Sequence, residues 1–111
     1  MPTTHLDNFT CAGGNLKFAN GMNEASWCVA KPSASERALN LNIEYAYNML
    51  GDCKMIQSGG SCFYPNTPMN HASAVMNHYY ANNGRNLWNC NFSNSALIAV
   101  TDPSYGSCNY A

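Results

Sequence analysis

Apolar positions fall into helical register twice along this chain and alternate only in short pieces. Pro32 is followed by Ser33-Ala34-Ser35-Glu36, which fits the S-x-x-E capping box. Leu39, Ile43, Ala46 and Leu50 then lie on one face of a helix, which Gly51 ends. Ala38, Leu41, Tyr45 and Met49 widen the apolar side, predicting a largely buried helix. Residues 51–66, with Gly51, Gly59, Gly60 and Pro65, read as a loop with a short extended piece at Ser61–Tyr64. Thr67-Pro68 starts a second helix, with Thr as N-cap and Pro at the first helical position. Ala72, Val75, Met76, Tyr79 and Tyr80 form its inward stripe, and Asn82-Asn83-Gly84 closes it. Beyond Trp88 the pattern turns strand-like at Asn89–Ser93 and Ala96–Thr101. Asp102–Gly106 makes a turn and Cys108–Tyr110 a last short segment. Residues 1–26 are rich in Gly, Asn and Thr and read as an extension. The expected architecture is α+β: two helices and a small sheet.

Composition narrows the classes. The 111 residues suit one small domain, and 46% of them are apolar. Only 11 are charged, fewer than the 17 asparagines, and the net charge is −1. No basic stripe suggests nucleic acid, and no apolar run approaches a membrane span. Six cysteines in so short a chain read as disulfide staples of a limited core, hence an oxidising compartment. No two of them form C-x-x-C, so zinc is a poor reading, and His71 and His78 are better taken as helix-surface residues than as ligands. The N-terminus shows neither a basic n-region nor an apolar h-region, so a secreted form would already have lost its signal. Asn8-Phe9-Thr10 and Asn91-Phe92-Ser93 are N-glycosylation sequons.

Several motifs recur here in a known order: Trp27-Cys28-Val29-Ala30-Lys31-Pro32, Gly51-Asp52-Cys53, Gly59-Gly60-Ser61-Cys62-Phe63-Tyr64-Pro65-Asn66, His71-Ala72-Ser73, Asn77-His78-Tyr79-Tyr80, Cys90-Asn91-Phe92 and Asp102–Cys108. They resemble the family 43 carbohydrate-binding module of plants, over about residues 26–110. That module occurs at the C-terminus of long β-1,3-glucanases, in plasmodesmal callose-binding proteins and in an olive-pollen-type allergen. The resemblance divides the chain into an extension, 1–25, and a module, 26–111. It implies two helices on a small antiparallel sheet, stapled by disulfides, with Cys28 paired to Cys90 and Cys62 to Cys108. The family's third bridge joins a helix-1 cysteine to the cysteine of Gly-Asp-Cys. Here that helix position is Tyr47, and Cys11 is an additional cysteine in the extension. A Cys11–Cys53 bridge would restore the count; two free thiols or an intermolecular link are the alternatives.

The resemblance implies a secreted, cell-wall protein, a β-1,3-glucan ligand and a monomeric, non-catalytic module without metal or cofactor. The residues suit this. Aromatic rings offer apolar faces to sugar C–H groups, and each Asn amide carries an acceptor and two donors for hydroxyls. Tyr64 and Asn66 before the second helix, Tyr80 on its stripe edge, and Arg85, Asn86 and Trp88 on the loop after it are the candidate ligand contacts. Trp27, beside a cysteine, and Tyr79 are read as core. His71 is expected to bond a backbone group, and Tyr105 to sit in a turn over the core. Glycosidases use a carboxylate pair. The six acids are otherwise placed: Glu36 in the cap, Asp52 and Asp102 in loop and turn, Asp7 and Glu24 in the extension, Glu44 on the first helix. The competing reading is a small secreted cysteine-rich domain that binds or inhibits a protein.

Overall fold

A computed structural model describes residues 25–51 and 53–111. Cys11, Asn8, Asp7, Glu24 and Asp52 lie outside the described residues, as does nearly all of the expected extension. Four elements carry the fold: β1 (Trp27–Ala30), α1 (Glu36–Leu50), α2 (Pro68–Asn82) and β2 (Ala96–Ala99), with 3₁₀ turns at Lys54–Ile56 and Leu87–Asn89. β1 and β2 pair antiparallel, Trp27 opposite Ala99 and Ala30 opposite Ala96. Two helices therefore pack on a two-stranded antiparallel sheet, as expected. The strand at Trp27–Ala30 was not foreseen, because four apolar residues without alternation carry no period. The strand expected at Asn89–Ser93 does not form: Phe92, Ser93 and Asn94 take positive φ values of 51°, 55° and 67°, which break a ladder.

Both helix starts follow from side-chain caps. Thr67 Oγ1 accepts from the Asn70 N–H at 3.1 Å, with Pro68 at the first helical position. On α1 the cap is Ser35, accepting from the Ala38 N–H, instead of Ser33 of the S-x-x-E motif. Gly51, at φ 81°, ends α1 by donating to the Tyr47 carbonyl at 2.8 Å.

The helices exchange the roles their patterns suggested. α1 buries only Leu39, Ala46 and Leu50, while Leu41, Tyr45 and Met49 stand exposed. α2 is the central helix, burying eight residues around most of its circumference, among them Ala72, Val75, Met76 and Tyr80. One cluster under α2 gathers Leu50, Ile56, Val75 and the Cys62–Cys108 bridge. A second gathers Leu39, Met76, Tyr80, Ala96 and the Cys28–Cys90 bridge. Both disulfides match the expected pairs. Cys53 is buried and disulfide-bonded. At the position where the resemblance implies a cysteine, Tyr47 packs against the first cluster and its hydroxyl accepts from Gln57 Nε2, a non-covalent tie between α1 and the turn after it.

α2 also completes β1. An isolated two-stranded sheet is marginal, and the outer edge of β1 presents the Cys28 and Ala30 N–H groups. Asn77 Oδ1 accepts the first at 3.0 Å and Ser73 Oγ the second at 2.9 Å. These side chains are four residues apart on α2, the helical spacing that meets an i, i+2 spacing along a strand. Asn77 Nδ2 donates onward to the Ala111 carbonyl at 3.1 Å, in full burial. Asn77→Ala strands two buried backbone groups and should lower stability by about 2–4 kcal/mol. Ser73→Ala should cost about 1 kcal/mol. Urea unfolding under non-reducing conditions checks the order.

Candidate functional site

The extended piece expected at Ser61–Tyr64 pairs with no strand. The carbonyls of Cys62 and Pro65 accept from Asn70 Nδ2 at 2.9 and 3.1 Å, and that of Phe63 is held by His71 Nε2 at 2.7 Å. His71 thus bonds backbone, as expected. The Tyr105 hydroxyl lies 2.6 Å from the Tyr64 carbonyl and 2.9 Å from Asn70 Oδ1, sharing one proton between two acceptors. Tyr64 itself is 73% exposed, while Phe63 turns inward over His71.

The far end of α2 is built differently. Gly84 (φ 92°) and Arg85 (φ 61°) reverse the chain after the helix. Arg85 is 5% exposed, and its Nη1 donates to the Ser26 carbonyl at 3.3 Å. Burial pushes its guanidinium below the usual range. Tyr80 is 1% exposed and its hydroxyl meets Ser26 Oγ at 2.7 Å. Both side chains therefore anchor the segment entering β1, and neither reaches the surface where a ligand would lie. Asn86 Nδ2 donates to the Asn83 carbonyl at 3.1 Å, fixing the loop that leads to Trp88. Trp88 stands 76% exposed.

Beside Trp88 runs a groove of about 410 Å³ between α1, the end of α2 and residues 88–93. Three rings form its floor in mutual edge-to-face contact. Tyr45 and Tyr79 have centroids 5.7 Å apart, Tyr79 and Phe92 5.5 Å, and Tyr45 and Phe92 6.4 Å. The two tyrosine hydroxyls are 3.3 Å apart. That hydrogen bond, with burial, holds the Tyr79 phenol above its ordinary pKa. Leu41 and Trp88 line the walls with Asn42, Asn89 and Asn91. Asn42 Nδ2 and Asn89 Oδ1, a donor and an acceptor, are buried without a hydrogen-bond partner among the described residues.

The loop that brings Phe92 under the groove is held against its own preference. A left-handed residue other than glycine costs roughly 1–2 kcal/mol, and three follow in succession. The surroundings impose them: Cys90 is bridged to Cys28, Asn91 Oδ1 accepts from the Asn94 N–H at 2.5 Å, and Lys31 Nζ donates to Asn94 Oδ1 at 2.6 Å. Strain of this kind concentrates at binding sites.

The six candidate contacts are thus not brought together. Tyr64 and Asn66 precede α2 and Asn86 and Trp88 follow it, ends separated by 15 residues or about 22 Å. Pro65, between Tyr64 and Asn66, lines another hollow of about 650 Å³ with Pro32, Met69, Pro103 and Tyr105. Polar groups there are already engaged: Ser73 with β1, Asn70 with residues 62–65. Sequence reasoning missed Tyr45, Asn42, Phe92 and Asn89. It also assigned Tyr80 to a groove, whereas Tyr80 is buried; Tyr79, read as core, packs against the first core cluster and lines the groove as well. The exposed row Leu41, Tyr45, Met49 on α1 was the signal: it is apolar, yet lies off the face defined by Leu39, Ala46 and Leu50. Trp27 is core, as read. His78, read as a surface residue, is buried in α2. Among the described residues no group of three or more His, Cys, Asp or Glu side chains is placed to hold a metal, and no helix is long and apolar enough to cross a membrane.

Comparison with known proteins supplies the family. The chain is 54% identical over 85 residues to a glucan endo-1,3-beta-D-glucosidase of Olea europaea, covering 77% of this chain and 18% of that protein. It is 46% identical over 85 residues to the major pollen allergen Ole e 10 of the same species, covering 76% of this chain and 69% of the allergen. With plasmodesmata callose-binding protein 5 of Arabidopsis thaliana it shares 44% identity over 85 residues, 76% of this chain and 47% of that one. The chain thus spans less than a fifth of the length of the olive glucosidase and of a similar one from Triticum aestivum. A family model described as the X8 domain matches residues 26–97, from the start of β1 into β2, and the chain belongs to the X8 domain family.

Proposed function

We propose that this protein is a non-catalytic module that binds β-1,3-glucan in the groove beside Trp88. One observation carries the reading: an uncharged groove with a three-ring floor also holds a donor, Asn42 Nδ2, and an acceptor, Asn89 Oδ1, left unpaired among the described residues. Amide torsions are soft, so a small turn aims these atoms at ligand hydroxyls. A buried polar atom left unpaired costs about 1–3 kcal/mol, which the ligand would relieve. Trp88 supplies an exposed face for stacking, and Tyr45 and Tyr79 supply hydroxyls at the floor. The names of the relatives, callose-binding proteins and glucan endo-1,3-glucosidases, point to the same polymer.

In this reading Trp88 is the principal contact and Asn86 positions its loop. Tyr80 and Arg85 support the site from beneath. Tyr64 and Asn66 form a separate contact for a long chain passing the other end of α2. The division into extension 1–25 and module 26–111, the monomeric state and a secreted, cell-wall location belong to the same proposal. Affinity electrophoresis in laminarin-containing gels tests it: retardation relative to a gel without polysaccharide supports the reading. Migration unchanged by laminarin supports the competing one, a protein-binding domain without sugar affinity.

The groove lining contains no Asp, Glu, His, Lys or Arg. Laminarin affinity should therefore stay constant between about pH 5 and 9 and be indifferent to salt. Because the Tyr79 phenol is raised, its neutral, hydrogen-bonded form is favoured in the fold. That contribution is fully present below the ordinary phenol range near pH ~10 and is lost as pH climbs through the raised value. A fall in affinity between about pH 5 and 7 would instead implicate a carboxylate or histidine and contradict this placement.

A further inference from the structure

The sequon Asn91-Phe92-Ser93 coincides with the groove: all three residues line it. Asn91 is exposed, and its Oδ1 is occupied by the Asn94 N–H. Its Nδ2, the atom that carries an N-glycan, has no acceptor among the described residues. The disulfides call for an oxidising compartment, and the eukaryotic secretory lumen, where N-glycosylation takes place, is one that supplies it.

We infer that Asn91 is an N-glycan acceptor and that its glycan closes the groove, so that glycosylation at this one side chain switches ligand binding off. The closure of a glucan site rests on the function proposed above; the modification does not. The donor is a polyprenyl-diphosphate-linked oligosaccharide. The bond between its first sugar C1 and the phosphate oxygen breaks, a C1–Nδ2 bond forms, the polyprenyl diphosphate leaves and Nδ2 gives up one proton. The product is tolerated by the fold because Asn91 faces solvent. It is not neutral to the site. An N-acetylglucosamine held on Asn91 offers Trp88 and the floor rings the same C–H faces as a glucan, at an effective concentration no free ligand matches.

The experiment compares one chain from two sources, both carrying Asn8→Gln so that only the second sequon remains. One is secreted by yeast; the other is made in an oxidising bacterial compartment without N-glycosylation. Peptide mapping by mass spectrometry reads occupancy at Asn91. Acrylamide quenching reads Trp88, since Trp27 is buried, and laminarin gels read binding. The expected result is an occupied Asn91, Trp88 quenching reduced at least about twofold, and retardation weakened about tenfold or more, the loss of roughly one stacking contact. An unoccupied Asn91 overturns the inference. So does an occupied Asn91 with quenching or retardation unchanged, when the bacterial protein binds laminarin. If the bacterial protein fails to bind, the glucan reading has failed and quenching alone decides whether the glycan covers the groove.

Discussion

Trp88→Ala is expected to weaken laminarin binding about 10- to 100-fold, the effect of losing a central aromatic anchor worth roughly 1–3 kcal/mol. The fold should not register the change. Trp88 is 76% exposed and lies in the short 3₁₀ turn Leu87–Asn89, none of whose residues is buried, so stability should move by less than about 0.5 kcal/mol. That separation makes the test decisive, because the neighbouring aromatics do not share it. Tyr79 and Phe92 pack into the floor, and truncating them would disturb the α1–α2 junction together with the ligand. Tyr64→Ala, at the other end of α2, should reduce affinity only for long chains. If Trp88→Ala binds laminarin normally while Tyr64→Ala does not, the site lies around Pro65 and Tyr105 and the groove has been misassigned.

Removing the Cys28–Cys90 bridge with paired alanines should destabilise the protein by about 4 kcal/mol, the chain-entropy value for a loop of separation 62. For a domain this small that approaches the whole of its stability. The Cys62–Cys108 bridge, of separation 46, should cost nearly the same in urea unfolding. The two differ in function. Cys90 lies between Asn89 and Asn91, both lining the groove, and it anchors the left-handed run at Phe92–Asn94. Without the bridge that strained turn relaxes and Phe92 leaves the floor. Neither Cys62 nor Cys108 adjoins a groove residue. Measured at low temperature on the folded fraction, laminarin affinity should therefore fall in the Cys28/Cys90 variant and persist in the Cys62/Cys108 variant. Equal affinity in both would show that the 88–93 loop holds its shape without the covalent anchor.

Local chemistry alone set the helices and their limits, since each cap lies within a few residues of what it caps. Thr67 and Pro68 start α2, and Gly51 stops α1 at a positive φ. The order of cysteines and short motifs carried the family resemblance, and with it two disulfide pairs. Even the shift of the α1 cap from Ser33 to Ser35 stays within one turn. β1 was invisible for the opposite reason. Its partner Ala96–Ala99 is about seventy residues away, and its outer edge is satisfied by Asn77 and Ser73 of α2, neither of which has a strand's signature.

The candidate site was legible only in part. Low charge, many asparagines and exposed aromatics on the loop after α2 are sequence facts, and Trp88 followed from them. Which aromatics join Trp88 did not. Tyr79 and Tyr80 differ by one position, about 100° around the helix, and periodicity locates the middle of a stripe far better than its edges. α2 is buried around most of its circumference, so its edge falls wherever α1 happens to cross. That crossing puts Tyr80 beneath Ser26 and Tyr79 against Tyr45. The sequence by itself determined the two helices and the neutral, amide-rich surface, because these depend on residue identity and short spacing, and the family resemblance added two of the disulfide pairs. Only the tertiary structure decided that Tyr45, Tyr79, Phe92, Asn42 and Asn89 meet beside Trp88, because that meeting depends on how two helices pack and on a strained loop that a disulfide holds in place.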